Sequence, residues 1–381
     1  MIDLWRTDDL LPASDTPGIN FMKLGFFCNQ QRARSEVVES WQEDIDEAVL
    51  ADRLGFDEGW ISEHTGSSWL PDALPSPDYM IAALAQVTEN IRLGPAIRRL
   101  ALYHPVQVAT EIAVSDQLTN GRYMFGFGRG GPVSGWGQRG TDFDDTHEMM
   151  IEGIDLIHRI FTSDKPVNHS GKFYSGKDIQ VYPKPVQSPH PPISVATGNP
   201  IVLKMAAERG FKLLTSQFAT PSEINRIATN FENSAPTGHQ GPKRADTTAV
   251  RGIFIGASDE KAISMVEKDW KLHIDFNKKH FPFNFKAWMN EGEELEDVGF
   301  SQLLDRGLMF IGSAKTVEER IQDFYTKAGG FGVFLFVTGR DWGTFAQRQD
   351  SMRAFAEDVA PSIRLLDDEP QSDHLPISAQ A

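Results

Sequence analysis

The sequence predicts an α/β protein built on one (β/α)8 barrel, the TIM-barrel fold, with insertions. Short apolar, strand-like runs alternate with amphipathic helical runs along most of the 381 residues, and eight such strand-like runs can be counted. This alternation favours parallel strands joined by crossover helices, and eight is the number of strands that closes a TIM barrel. An open, doubly wound sheet is the alternative, although it usually needs fewer strands.

The predicted strands are short and apolar, and in chain order they lie near residues 22–27, 57–62, 91–97, 121–127, 193–197, 211–215, 249–255 and 331–337. Helical periodicity fills the intervals between them. In the first interval, Trp41, Ile45 and Ala48 recur on one face of a helix that ends at Gly55. Glycine suits the position just after a helix C-terminus, so this residue marks the end of the first predicted helix.

One domain is predicted over residues 22–365, with a polar segment on either side. Residues 1–21 are predicted to form an N-terminal arm, and residues 366–381 a polar tail. The length beyond a minimal barrel of ~250 residues lies mainly in two insertions. The first, near 162–192, is rich in proline and glycine, and the second, near 270–306, is aromatic at its start and acidic at its end.

The composition argues against two classes of partner. A formal net charge of −16 repels phosphate backbones and anionic lipid headgroups, so neither nucleic acid nor a membrane is expected as a partner. No run approaches the ~20 apolar residues of a membrane-spanning helix. The single cysteine, Cys28, excludes an internal disulfide, and the N-terminal residues lack the basic and apolar regions of a signal peptide. A cytoplasmic location is therefore expected.

The second predicted strand runs directly into the polar stretch SEHT at residues 62–65. In a TIM barrel the active site lies at the carboxyl ends of the strands. His64 is therefore a candidate catalytic residue, with Glu63 beside it. The alternative is a histidine that is merely packed or exposed at the surface.

A glycine-rich loop, GFGRGG at residues 126–131, formally matches the dinucleotide fingerprint G-x-G-x-x-G. That fingerprint requires a helix to begin at once, whereas Pro132 and further glycines follow here, so no dinucleotide site is predicted. The loop does suit a phosphate group, because its backbone permits close approach and Arg129 supplies bidentate donors. A surface loop is the alternative.

A second candidate site for an anion follows the fifth predicted strand. Thr197, Gly198 and Asn199 lie there, and Pro200 suits the first turn of the next helix. The free backbone N–H groups of a helix start favour an anion, while ordinary N-capping by Asn199 requires no ligand.

No metal site is predicted. The stretch HEMMI at residues 147–151 begins like H-E-x-x-H but lacks the second histidine, and no other pair among the ten histidines has metal-binding spacing. The serine-hydrolase motif G-x-S-x-G and the phosphate-binding motif G-x-x-x-x-G-K-[ST] are absent as well.

Taken in order, several stretches resemble the bacterial luciferase-like, flavin-dependent monooxygenases. They are MKLGFF at 22–27, ADRLGFDEGWISEH at 51–64, IRLGPAI at 91–97, YHPVQVATEIAVSDQLTNGRYMFGFGRG at 103–130, PISVATGNP with AAERGF near 192–211, and GSAKTVEERI at 312–321. The resemblance covers roughly residues 22–362. As a set these motifs are typical of the superfamily and are not specific to one substrate.

The resemblance implies a barrel that is usually a homodimer and that uses reduced FMN as a co-substrate. A separate NAD(P)H:flavin reductase would supply the reduced FMN, so no nicotinamide-binding domain is expected here. With O2 the flavin would form a C4a-peroxide that oxygenates a small hydrophobic substrate, in a Baeyer–Villiger reaction or a hydroxylation. Cyclic or terpenoid ketones are favoured, partly because the second insertion holds Phe281, Phe283, Phe285 and Trp288. That insertion is expected to be a mobile lid that closes over the barrel mouth.

Carried over residue by residue, His64 matches the histidine beside the reactive edge of the flavin, and Glu63 matches its acidic neighbour. An unperturbed imidazole titrates near pH ~6.5, so His64 is expected to exchange a proton near neutral pH. The remaining matches are Ala96 and Ile97, joined by a non-prolyl cis peptide bond under the isoalloxazine, and Arg129, Thr197, Gly198 and Asn199 around the phosphate.

The chain departs from the family pattern at two positions. Many members carry a second histidine where Thr65 follows His64, and bacterial luciferase has a cysteine where Gly128 stands. Light emission from a long-chain aldehyde is therefore not expected. Two alternatives on the same fold stay open: a deazaflavin-dependent dehydrogenase and a non-catalytic flavin-binding protein.

Overall fold

The computed structural model describes residues 21–28, 37–64, 74–131, 136, 140–235, 241–338 and 342–368. The predicted arm at 1–21 and the predicted tail at 366–381 lie almost wholly outside these residues. The expectations for both segments therefore stay predictions.

The strands of the described residues are β1 (Lys23–Cys28), β2 (Glu58–Ile61), β3 (Arg92–Pro95), β4 (Arg98–Arg99), β5 (Phe125–Gly128), β6 (Val167–Ser170), β7 (Ser175–Ile179), β8 (Ile193–Ala196), β9 (Lys212–Leu214), β10 (Thr247–Ile255), β11 (Met309–Gly312) and β12 (Val333–Val337).

The α-helices of the described residues are α1 (Val37–Arg53), α2 (Pro77–Leu84), α3 (Pro105–Leu118), α4 (Thr146–Thr162), α5 (Pro200–Glu208), α6 (Pro221–Glu232), α7 (Asp259–His280), α8 (Phe300–Asp305), α9 (Ala314–Lys327), α10 (Phe345–Ala354) and α11 (Ala360–Ile363). None of these helices is both long enough and apolar enough to cross a membrane.

Nine parallel strands form a nearly closed barrel in the described residues. They follow the order β3-β2-β1-β12-β10-β9-β8-β5-β4, and a bridge between Leu93 of β3 and Tyr123, just before β5, links the first strand of this path to its far side. All eight predicted strands are present, so the barrel prediction is confirmed and the open sheet is excluded. The sequence analysis predicted neither the short strand β4, which completes the nine, nor β11, which pairs with the C-terminal half of β10.

Alternating side chains explain how the strands fill the barrel. Val333, Leu335 and Val337 of β12 belong to an inner cluster, whereas Phe334 and Phe336 face the outer core under the helices. Successive side chains of a strand point to opposite faces. A parallel strand buried on both faces therefore appears in the sequence as a continuous apolar run, here VFLFV.

Glycine allows the backbones of β3 and β5 to approach each other inside the barrel. An ideal Cβ built on Gly126 would lie 2.2 Å from the carbonyl oxygen of Pro95 and 3.0 Å from Trp60 Cζ3. No side chain fits there without a shift of the backbone, so the start of the GFGRGG loop is fixed by packing.

The first insertion contains an antiparallel hairpin formed by β6 and β7. Glu152 of α4 anchors the turn between these strands. Its carboxylate accepts hydrogen bonds from the backbone N–H groups of Phe173 and Tyr174, at 3.0 and 2.9 Å, and lies 3.0 Å from His169 Nε2.

The second insertion begins inside a helix. α7 is one continuous helix of 22 residues, so its second half forms the start of the segment predicted near 270–306. A short 3-10 segment at Pro282–Trp288 and α8 follow it. Together they form a second hydrophobic cluster on β10 and β11, which comprises Phe254, Ala262, Val266, Trp270, Ile274, Phe285, Trp288, Val298, Phe300, Leu303, Leu304, Leu308, Met309, Ile311 and Trp342.

Arg251 of β10 joins this insertion to the barrel. Its fully buried guanidinium donates hydrogen bonds to the carbonyl oxygens of Gly307, Gln217 and Ala219, at 3.1, 3.1 and 2.6 Å. Burial lowers the pKa of Arg251 to about 9. The loop after β9 and the start of β11 are thus held by one side chain.

We expect Gly126→Ala to lower the free energy of unfolding by at least ~2 kcal/mol, because the added Cβ would overlap the Pro95 carbonyl. Gly153→Ala is the matched control. Gly153 lies within α4, and its Cβ would meet Leu100 at 3.5 Å, an ordinary contact, so this change should raise stability by up to ~1 kcal/mol. Urea unfolding of both variants tests the difference, and equal midpoints would contradict the close approach of β3 and β5.

Candidate active site at the barrel mouth

The strand register brings the predicted site residues to one end of the barrel. Ile61 of β2 pairs with Pro95 of β3, so the Ser62–His64 stretch emerges beside the Ala96–Ile97 stretch. Gly128 of β5 pairs with Ala196 of β8, so Arg129 emerges beside Thr197. These positions follow the carboxyl ends of neighbouring parallel strands, where a TIM barrel holds its active site.

Ala96 and Ile97 form an apolar surface, called here the apolar shelf, at the carboxyl-terminal end of the barrel interior. The Ala96–Ile97 peptide bond is cis, and both side chains are partly buried against the inner cluster. An ideal Cβ on Gly128 would lie 2.5 Å from Ile97 Cδ1. Packing against Ile97 therefore gives a physical reason for the glycine at this position, where bacterial luciferase has a cysteine.

His64 is a neutral imidazole in this structure. Burial, together with the nearby charge of Arg99, lowers its pKa to about 4. Its Nε2 is buried and has no hydrogen-bond partner within the described residues. The expectation of an ordinary pKa near ~6.5 is therefore wrong, because it ignored desolvation and the neighbouring guanidinium.

Glu63 is fully buried beside two arginines. Its Oε1 accepts hydrogen bonds from Arg99 Nε and from the Tyr103 hydroxyl, both at 3.2 Å, and its Oε2 lies 3.4 Å from Arg98 Nε. Burial raises the pKa of Glu63, while the two guanidinium groups oppose that rise. The Glu63 side chain therefore belongs to an ion network with Arg98 and Arg99 of β4, and the Tyr103 hydroxyl adds one hydrogen bond.

Arg98 is the centre of that network. Its guanidinium forms an ion pair with Asp78 of α2 and another, at 3.0 Å, with Glu111 of α3, and it stacks 4.1 Å above the ring centre of Tyr103. Burial alone would lower the pKa of Arg98, but Asp78 and Glu63 raise it above its ordinary value. The guanidinium of Arg98 is therefore charged near neutral pH.

Sequence reasoning missed Arg98, Arg99 and Asp78. The available signal was the stretch IRRL, in which two consecutive arginines follow a buried strand within an apolar context. Buried arginines usually require paired carboxylates, so this stretch indicated an ion network, although it did not identify the partners.

Arg129 projects toward the start of α4. Its Nε donates to Thr146 Oγ1 and its Nη2 to the carbonyl oxygen of Phe143, both at 2.8 Å, and its guanidinium lies 3.8 Å from the ring centre of Phe143. No contact within the described residues uses its Nη1. The side chain is therefore held in place and keeps donors for a ligand.

The turn at 197–199 caps α5. Asn199 Oδ1 accepts a hydrogen bond from the backbone N–H of Ile201 at 2.9 Å, and Thr197 Oγ1 accepts one from the N–H of Asn199 at 3.0 Å. The ordinary N-cap is thus present. Gly198 is exposed at the tip of the turn, and contact of this turn with a phosphate stays a prediction.

The second insertion extends over the barrel mouth. An ideal Cβ on Gly131 would lie 3.9 Å from Phe283 Cζ, so this ring reaches the glycine-rich loop after β5. Trp288 Nε1 donates to the carbonyl oxygen of Phe218, in the loop after β9, at 2.6 Å. Phe285 and Trp288 are buried, so these two rings form packing contacts. Mobility of the insertion stays a prediction.

A cavity of about 130 Å³ lies at the opposite end of the barrel. It is lined by the first residues of several strands, among them Lys23, Glu58, Arg92 and Lys212. Since these residues lie at the amino ends of the strands, the cavity is separate from the site at the mouth. No group of three or more metal-ligating side chains occurs among the residues the structure describes.

Comparison with known proteins gives consistent results. A family model described as luciferase-like monooxygenase matches residues 22–331. The 4-hydroxyprotoasukamycin monooxygenase of Streptomyces nodosus subsp. asukaensis is 26% identical over 326 residues, which cover 84% of this chain and 85% of that protein. The limonene 1,2-monooxygenase of Rhodococcus erythropolis is 26% identical over 339 residues, which cover 88% and 85%.

Other similar proteins include a monooxygenase solved with FMN and an F420-dependent enzyme. The oxygenating constituent of 3,6-diketocamphane monooxygenase from Pseudomonas putida, solved with FMN, has a TM-score of 0.77 at 23% identity and covers 90% of this chain and 99% of its own. An F420-dependent glucose-6-phosphate dehydrogenase of Amycolatopsis mediterranei is 24% identical over 331 residues, covering 84% of this chain and 94% of that protein.

The lowered pKa of His64 has a measurable effect on stability. The unfolded imidazole binds a proton below pH ~6.5, whereas the folded one does so only near pH 4. The stability gained from neutral His64 is therefore complete above pH ~6.5 and is lost as the pH falls toward 4.

We expect the fall in unfolding free energy between pH ~7 and ~5 to be about 1–2 kcal/mol smaller in His64→Gln than in the unmodified protein. Urea unfolding at both pH values measures this difference. NMR titration of the His64 ring gives the direct check, and a midpoint near 6.5 would contradict the buried environment.

Proposed function

Since the chain belongs to the luciferase-like monooxygenase family, we propose that it is the oxygenase component of a two-component monooxygenase that uses reduced FMN and O2. The observation that supports this most is the apolar Ala96–Ile97 shelf between His64 on one side and Arg129 on the other. The proposed substrate is a small hydrophobic molecule such as a cyclic ketone, oxygenated by Baeyer–Villiger chemistry or by hydroxylation.

The residues present fit FMN. Ala96 and Ile97 offer an apolar surface for a flat ring system, and Gly128 leaves that surface free of a side chain. Arg129 and the 197–199 turn follow neighbouring strands and can hold the phosphate through a guanidinium and backbone donors. When bound, reduced FMN supplies the electrons that activate O2.

In this proposal His64 is the catalytic residue. A neutral imidazole carries one proton that it can donate and one lone pair that can accept. Its Nε2 is buried and has no hydrogen-bond partner among the residues that the structure describes, which supports a contact with cofactor or substrate because a buried polar group without a partner is costly. Glu63 acts as a positioning residue, since its carboxylate contacts the arginines of β4.

The proposed partners are a separate NAD(P)H:flavin reductase, which contacts the protein transiently, and a second copy of the chain. Large apolar side chains on α2 and α3 support a homodimer, since Tyr79 is 80% exposed, Leu118 46% and Val114 38%. We place the protein in the cytoplasm, where reduced nicotinamide and its reductases are present.

A deazaflavin-dependent dehydrogenase is the second candidate function. It is supported by the F420-dependent relative, whose name states that cofactor and which matches 84% of this chain. In that case the same mouth would hold a hydride carrier, and neither O2 nor a flavin reductase would be needed.

The two candidates are separated by a reconstitution assay. We expect the purified chain to oxidise no NADH by itself, because its one formal match to the dinucleotide fingerprint, GFGRGG, is followed by Pro132 and not by a helical pattern. Adding FMN and a generic flavin reductase should then produce oxygenated product from a panel of cyclic ketones, read by mass spectrometry with labelled O2 and with catalase present. Rapid NADH oxidation by the chain alone, or tight binding of F420 but not of FMN, would count against the monooxygenase.

Arg129→Ala tests the phosphate site. We expect it to weaken FMN binding roughly ten- to a hundredfold, the effect of one charge-assisted contact, and to leave riboflavin binding nearly unchanged because riboflavin lacks the phosphate. Arg353→Ala is the matched control, since Arg353 lies in the last turn of α10 and, among the described residues, forms an ion pair only with Asp350, at 3.3 Å. Equal losses for FMN and riboflavin would exclude Arg129 as the phosphate ligand.

A further inference from the structure

Helix α7 packs on the face of β10 that continues the inside of the barrel. Val250 belongs to the inner cluster, while Ala249 and Ile253 belong to the outer core. Since strand side chains alternate, Gly252 and Phe254 continue the inner face, and Phe254 packs against α7. The helix therefore lies above the barrel opening.

Two tryptophans lie directly over Gly252. An ideal Cβ on this glycine would lie 2.8 Å from Trp342 Cη2 and 3.1 Å from Trp270 Cζ2. The two indoles stack with ring centres 4.2 Å apart, and His273 meets both rings edge-on. An aromatic wall, formed by Trp270, His273 and Trp342, thus borders the mouth above β10 and β12.

This wall and the proposed phosphate site lie on different strands of the barrel. β9 separates β10 from β8 on one side, and β12 is followed by β1 and then by β2, which precedes His64, on the other. With its phosphate at β5 and β8, a flavin would extend across the opening toward this wall. Substrate would then lie between the wall and His64.

Two polar atoms on α7 have no partner within the described residues. They are Trp270 Nε1, a donor, and Asn277 Oδ1, an acceptor, and both are buried. Asn277 Nδ2 donates to the carbonyl oxygen of His273 at 2.9 Å, which fixes the amide so that its oxygen is the unpaired atom. By contrast, Trp288 Nε1 in the same insertion is paired at 2.6 Å.

Unpaired buried groups of this kind are rare, and each one destabilises the folded protein. Trp270 and Asn277 are seven positions apart on one helix, so they lie on one face and about 10 Å apart along its axis. A molecule that contacts both side chains must span this distance along the helix, which suits two fused rings with a polar group at each end.

We propose that this face of α7 recognises the substrate, an apolar molecule of about two fused rings with a carbonyl at one end and a hydroxyl or N–H at the other. Trp270 Nε1 donates to the carbonyl, and Asn277 Oδ1 accepts from the hydroxyl or N–H. The assignment rests on the proposed function, since it places substrate between α7 and the cofactor. Entry requires the contact between α7 and Trp342 to open, because both polar atoms are sealed from solvent.

A comparison of melting temperatures, made without any ligand, tests whether the Trp270 N–H group lacks a hydrogen-bond partner. Trp270→Phe and Trp288→Phe remove the same ring volume and the same N–H group. Only the second change breaks a hydrogen bond, so we expect Trp288→Phe to lower the melting temperature further than Trp270→Phe. An equal or larger loss in Trp270→Phe would mean that its N–H is satisfied and would overturn the proposal.

A binding series tests the chemistry. Calorimetry of the full chain loaded with oxidised FMN compares decalin, a decalone, a decalol and a decalone with a hydroxyl on its second ring. We expect the hydroxydecalone to bind tightest, with roughly five- to tenfold gained for each hydrogen bond. Trp270→Phe should abolish the gain from the carbonyl only, and Asn277→Leu the gain from the hydroxyl only.

Equal binding of all four compounds, or binding of none, would overturn the proposal. The series uses neither O2 nor reduced flavin, so it is independent of turnover. Selective binding without oxygenated product would contradict the proposed monooxygenase function but not the role of α7. Oxygenation without selective binding would contradict the role of α7 but not the monooxygenase function.

Discussion

The buried guanidinium of Arg98 is the interaction on which the candidate site depends. It joins β4 to Asp78 of α2, to Glu111 of α3 and to Glu63 after β2. Charges attract strongly where water is excluded, and loss of one partner from such a pair typically costs ~3–5 kcal/mol because the other charge stays buried. The Arg98 side chain therefore holds α2, α3 and the segment after β2 in place beside β4, at the barrel mouth.

The same ion network also positions His64 and the Ala96–Ile97 cis peptide bond. Glu63 is held between Arg98 and Arg99, and its neighbour His64 is thereby placed beside a guanidinium that disfavours the imidazolium. Ala96 and Ile97 immediately precede the two arginines. The polar and apolar parts of the site are therefore fixed by the same short stretch of chain, residues 96–99.

The barrel could be predicted from the sequence because its signals are local. A parallel strand buried on both faces is a continuous apolar run, and eight such runs alternating with helices favour one fold. β11 was missed because its four residues directly follow the predicted second insertion and eight strands had already been counted. The insertion boundary near 270 falls within α7 because aromatic residues conceal the helical periodicity there.

The candidate site could be predicted in part, for a different reason. Residues at strand ends are predictable once the strands are known, and on this basis His64, Arg129 and Thr197 come to one end of the barrel. The partners of Arg98 and the lowered pKa of His64 were not predictable. They arise from contacts between elements far apart in the chain, which tertiary packing alone determines.

The placement of α7 on the inner face of β10 has an evolutionary consequence. The proposed cofactor shelf and phosphate site follow β3, β5 and β8, whereas the aromatic wall comes from α7 and from Trp342, which follows β12. Mutations in the aromatic wall do not change the residues that follow β3, β5 and β8. On the proposed function, substitutions in α7 can therefore change which substrate is accepted without changing the residues that would hold the cofactor.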